Sequence, residues 1–155
     1  MYHYIRKVIP TDARIIVQLS VDPEVFRSHM EMVRNLADAK KVSLLTSDEL
    51  ITAEQTNCYP NKNVFIFSVD DGWIDSYSEL APIAREFKVP FTFGIITDRL
   101  GTDVFMTESL VKELSSEPLF TIASHSLHHD DQDTMLELTE RRTVCESKKI
   151  LESMT

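Results

Sequence analysis

The chain has 155 residues, 43% of them apolar and 26% charged, with a formal net charge of −9. That length and apolar content can bury a sizeable core, and one domain is expected over 1–155, with a leading region 1–59 and a motif-bearing core 60–155. The acidic balance excludes nucleic acid or an anionic membrane surface as the main partner, since either requires clustered Lys and Arg, and no run approaches the roughly 18 apolar residues of a membrane span.

Met1-Tyr2-His3-Tyr4-Ile5-Arg6 starts on aromatic residues with no polar lead-in. It carries no basic-then-apolar signal pattern and reads as a cut end. The compartment is therefore the cell envelope or the exterior if a signal peptide precedes Met1, and the cytoplasm otherwise. Arg14 to Leu19, with Ile15, Ile16 and Val17 in sequence, reads as a strand. Asp22-Pro23-Glu24 opens a helix with an N-cap, a proline at the first helical position and an acid in the first turn. Val25, Phe26, Met30, Val33, Leu36 and Ala37 keep helical spacing to about Lys40, so Met30 is core filling.

Val42 to Leu45 is a short extended piece, and Thr46-Ser47-Asp48-Glu49 caps one or two helical turns. Asn57 to Asn63 is rich in turn formers and too short for an interdomain linker. Cys58 in it is an incidental thiol. With Cys145 far away and no C-x-x-C, neither a disulfide framework nor a cysteine-zinc site is indicated.

The organising stretch is Val64-Phe65-Ile66-Phe67-Ser68-Val69-Asp70-Asp71-Gly72. Six apolar or small residues without alternation predict a parallel strand buried on both faces. Two carboxylates at its end stand where α/β sheets place ligands and catalytic groups, and their mutual repulsion calls for a cation or a shared proton. A plain turn with a helix N-cap is the competing reading. Ile74, Tyr77, Leu80, Ala81, Ile83, Ala84 and Phe87 then recur at helical spacing, with Pro82 predicting a kink or a late helix start. Trp73 is read either as a stacking surface for a sugar or as packing over the helix start.

Val89 to Thr97 is strand-like, Thr107 to about Ser116 helical, and Leu119 to Ala123 a further strand. It runs into Ser124-His125-Ser126-Leu127-His128-His129-Asp130. His125 and His129, four apart, project from one face of a helical turn, with roughly 5–6 Å between their Cβ atoms, which suits two ligands of one metal. His128 points elsewhere. Asp133 to about Met154 is a terminal helix whose buried stripe is Leu136, Leu138, Val144, Ile150 and Leu151. The alternation of strands and helices predicts an α/β fold with a parallel sheet and right-handed crossovers.

Ser68-Val69-Asp70-Asp71-Gly72 resembles the T-F-D-D-G motif of the polysaccharide deacetylases, the NodB-homology domain of carbohydrate esterase family four. His125-Ser126-Leu127-His128-His129, about 50 residues on, resembles that family's H-[ST]-x-x-H. The resemblance implies a partial, incomplete β/α-barrel and a hydrolase that removes acetyl groups from an N-acetylated, less often O-acetylated, carbohydrate polymer. It implies Asp70 as the base, a divalent metal, zinc, held by Asp71, His125 and His129, and Ser126 as a loop-holding hydroxyl. Tyr2-His3 is similar to a Tyr-His pair near the family's first strand. An Arg-bearing segment and a Leu-x-His that follow in the family have no counterpart after His129, so the chain is expected to be the N-terminal portion of a catalytic domain, with little or no activity alone. A sheet ending there would leave an unpaired edge and an exposed apolar flank.

Three other readings use the same residues. A receiver-like phosphoacceptor domain needs a third Asp and a Lys. A non-haem iron oxygenase can use two histidines and a carboxylate. A carbohydrate-binding relative without turnover is the nearest alternative. No protein partner is evident.

Overall fold

The computed structural model of the protein describes residues 1–60, 63–129 and 137–155. Its strands pair in parallel: β1 (Tyr4–Ile5) with β2 (Ser20–Val21), β3 (Val42–Leu44) with β4 (Asn63–Phe65), and β5 (Ser68–Val69), β6 (Phe91–Ile95) and β7 (Phe120–Ser124) in that order. A bridge between Tyr2 and Val69 adds the N-terminal segment beside β5, with Tyr2 N–H donating to Ser68 O and Asp70 N–H to Tyr2 O. No closed barrel forms among the described residues, and there the outer edge of β7 meets no strand. This is an α/β fold with parallel strands and an open, partial barrel.

The apolar run before the two aspartates departs from expectation. It is not one strand: β4 pairs with β3, β5 pairs with β6, and Ile66 and Phe67 join them. Nor is it buried on both faces, since Phe65 is 37% exposed and Val69 alone of this run belongs to the core. The strand buried throughout is β6, every residue of which is buried. Apolar content without alternation marks a strand but cannot say which neighbour it pairs with or how deep it lies.

Arg14–Leu19 is the helix α1, not a strand. β1 and β2 are parallel, so the chain between them must cross back, and α1 lies in that crossover despite its β-branched run. None of its residues is buried, and Ile15 and Val17 are exposed.

Helix α2 (Pro23–Asp38) begins as its sequence dictates, Asp22 accepting from Glu24 N–H at 2.9 Å with Pro23 in the first turn. Phe26, Met30 and Val33 bury its inner face, whereas Val25 is exposed. Helix α3 (Ser47–Thr56) is longer than one or two turns and opens on a reciprocal capping box between Thr46 and Glu49. After the aspartates a π-helical segment, Ser76–Leu80, precedes α4 (Ala81–Phe87). The wider register falls directly ahead of Pro82, which has no N–H to continue an ordinary turn. Helix α5 (Glu108–Ser115) is capped by Thr107.

Helix α6 (Glu137–Met154) packs on β7. The expected start at Asp133, Leu136 and the side chain of Leu138 lie outside the described residues. Val144 is exposed and not part of the buried stripe; Leu151 is buried as expected, joined by Thr143 and Ser147, with Ser147 Oγ 2.7 Å from Ser124 Oγ. A hydrophobic period cannot find a helix face whose inward positions are partly hydroxyls.

The core gathers Ile5, Phe26, Met30, Leu80, Phe91, Phe93, Ile95, Met106, Leu114 and Phe120 around β6. At about 2–3 kcal/mol for each fully buried aromatic, these contacts hold the carboxyl ends of β5, β6 and β7 in fixed register.

Candidate metal centre

Asp70 and Asp71 leave the end of β5, and His125 leaves the end of β7, so β6 alone separates the two clusters. His125 N–H donates to Ile95 O at 2.9 Å, which sets the histidine at the rim. The segment from His125 to His129 is a loop and not a helical turn, because Ser126 (φ 68°) and His129 (φ 62°) adopt left-handed backbone. The two imidazoles converge nonetheless, their centroids 5.2 Å apart. Ser126 Oγ closes the loop by accepting from His129 N–H at 2.9 Å. His128 turns away from both and pairs through Nδ1 with Asp98.

Asp71 is itself left-handed (φ 76°), as is Gly72 (φ 83°). Asp tolerates that region better than most residues, and the tight turn folds its carboxylate toward the histidines. Oδ1 lies 3.4 Å from His125 Nε2 and 3.5 Å from His129 Nε2. It is buried and accepts no hydrogen bond among the described residues, whereas Oδ2 accepts from Trp73 Nε1 at 2.9 Å. A buried carboxylate oxygen facing two ring nitrogens without a hydrogen bond is the arrangement a cation completes. One atom from each of Asp71, His125 and His129 lies within 4.8 Å of the others, so the three can hold a metal ion. An O,N,N donor set leaves positions free, as catalytic sites do. Side-chain exposure climbs from 12% at Asp71 through 33% at His125 to 59% at His129, so the centre opens to solvent on the His129 side.

Asp70 sits beside this centre, above Gly94 of β6, where a Cβ would meet Asp70 Oδ1 at 3.3 Å and His125 Cβ at 3.4 Å. Gly94 was not singled out from sequence, although a lone glycine inside an apolar strand signals close approach. Trp73 stacks on Phe105 at 4.0 Å and lies 4.7 Å from Tyr4. A cavity of about 370 Å³ has Tyr4, Arg6, Trp73 and Asp75 in its wall. Asp75 Oδ2 accepts from Ile5 N–H at 3.0 Å, and burial raises its carboxyl to a pKa of about 6. Burial first, then the charges of Asp71 and Asp75, raises the Tyr4 phenol as well.

The sequence profile of the polysaccharide deacetylases matches residues 57–155. The chain belongs to the polysaccharide deacetylase family. YxkH of Bacillus subtilis (strain 168), a protein named as a polysaccharide deacetylase, is 22% identical over 136 residues, 88% of this chain and 47% of that one. The fold is shared with the Streptococcus pyogenes deacetylase PplD, solved in complex with acetate, at TM-score 0.84 and 23% identity over 99% of this chain and 66% of that one. It is shared too with BC0361, a polysaccharide deacetylase from Bacillus cereus, at TM-score 0.78 and 23% identity over 99% of this chain and 46% of that one. The chain thus spans from about half to just under two thirds of these relatives.

Proposed function

We propose that this chain carries the metal-binding part of a hydrolase that removes acetyl groups from an N-acetylated, or less often O-acetylated, carbohydrate polymer. Family membership supports the reaction class. The observation that carries the reading is the buried Asp71 Oδ1, without a hydrogen-bond donor among the described residues, facing two histidine nitrogens next to a second carboxylate.

In this reading Asp71, His125 and His129 hold a divalent metal, zinc by resemblance to the family. When bound, the metal polarises the acetyl carbonyl and makes water more acidic. Asp70, as a carboxylate, takes the proton of the water that attacks that carbonyl, and Gly94 leaves room for it to do so. The carbon–nitrogen bond then breaks: the water's hydroxyl stays on the acyl carbon, which leaves as acetate, and the proton taken by Asp70 ends on the nitrogen, which leaves as a free amine. The cavity walled by Tyr4, Arg6, Trp73 and Asp75 provides aromatic surface and polar groups for the sugar. Ser126 holds the histidine loop.

Acetate release from N-acetylated chitooligosaccharides, measured on the zinc-loaded full-length protein, tests the reading. Asp70→Asn is expected to abolish release. Release at the parental rate in that variant would remove Asp70 from the chemistry.

A further inference from the structure

A carboxylate has two equivalent oxygens and a broad terminal torsion, so nothing intrinsic to Asp71 decides which oxygen meets the histidines. Here one hydrogen bond decides it. Trp73 Nε1 holds Oδ2 at 2.9 Å and leaves Oδ1 between His125 Nε2 and His129 Nε2. The indole N–H is a donor only, so it binds a carboxylate oxygen and cannot compete as an acceptor for the histidines. The ring is fixed in turn. It stacks on Phe105 with planes 24° apart, its backbone bridges Phe105, and the Tyr4 ring lies against it. The left-handed Asp71 and Gly72 between ligand and indole fold the ring back over the carboxylate.

We propose that Trp73 is a positioning residue of the metal centre: by engaging Asp71 Oδ2 it presents Oδ1 alone to the ion and thereby sets metal affinity and coordination. This rests on the reading of Asp71, His125 and His129 as metal ligands. Packing by itself would need only an aromatic ring at this position. Positioning needs the N–H, and partners one shell beyond the ligands typically change metal affinity 10–100-fold.

Trp73→Phe keeps the ring and removes the donor. In zinc titrations against a chromophoric chelator, the variant is expected to bind roughly 10–100-fold more weakly than the parent. With Co²⁺ in place of zinc, its visible absorption bands shift because the carboxylate is free to turn. Trp73 is the sole tryptophan, so the parent offers a second measurement that needs no variant. Its emission is expected to change in step with zinc up to one equivalent. Affinity within twofold of the parent in Trp73→Phe, with His125→Ala losing zinc, overturns the proposal and leaves the metal site standing. Emission that stays flat through a stoichiometric titration also overturns it. If His125→Ala binds zinc as the parent does, the ligand assignment fails and the proposal fails with it.

Discussion

Gly94 and Asp70 approach closely: a Cβ at position 94 would lie 3.3 Å from Asp70 Oδ1, a tight contact, and 3.4 Å from His125 Cβ, an ordinary one. The central strand thus separates the two clusters while allowing their side chains to meet above it. Gly94→Ala is expected to move the Asp70 carboxylate by a few tenths of an ångström and to leave His125 in place. The stability change in urea denaturation should stay below about 1 kcal/mol, less than overpacking a tight interior costs. Zinc affinity, read by calorimetry, should change little in the same variant, because the crowded group is Asp70 and not Asp71, His125 or His129.

Asp75 makes stability depend on pH in a defined direction. Its folded carboxyl titrates near 6 because it is buried, against an ordinary value of 3.8. Between those values the folded state holds more proton than the unfolded chain, so stability falls as pH rises from about 4 to 6. The effect is on the order of 3 kcal/mol. Asp75→Asn keeps an acceptor for Ile5 N–H and removes the titration. Denaturation midpoints of parent and variant across pH 4–7 should diverge, the parent alone declining over that window from this group.

Ser126 touches the histidine loop through one hydrogen bond, from His129 N–H to its Oγ. Ser126→Ala should cost about 0.5–1.5 kcal/mol of stability, the usual net worth of such a bond. Zinc affinity should drop far less than in His129→Ala, which removes a proposed ligand. Parallel titrations of the two variants check this.

Much of the site could be read in the sequence because its chemistry sits in two short motifs. Asp70-Asp71-Gly72 and His125-x-x-x-His129 announce themselves by residue type, and each follows an apolar run whose end must lie at a sheet rim. The local geometry of the second could not be read. Helical spacing of four suggests a helix face, but left-handed Ser126 and His129 bring the rings together by a loop, and nothing in their identity demands φ above zero. The contacts of Trp73 were equally hidden, since its N–H partner is set by backbone at Asp71 and by Phe105, thirty-odd residues away. In the fold, capping residues such as Asp22 and Thr46 marked helix starts directly. Arg14–Leu19 misled because its β-branched side chains favour a strand while the parallel pairing of β1 and β2 requires a crossover. Tertiary demand overrode local propensity there.

The two adjacent aspartates carry different duties in this account, and zinc titration by calorimetry on the parent, Asp70→Asn, Asp71→Asn, His125→Ala and His129→Ala tests that division most directly. The parent is expected to bind one zinc per chain and Asp70→Asn to bind it as well. Asp71→Asn, His125→Ala and His129→Ala are each expected to bind roughly tenfold more weakly or worse. Zinc bound as tightly by all three of these variants as by the parent would contradict the metal centre described here, and equal loss in Asp70→Asn and Asp71→Asn would contradict the separation of base from ligand.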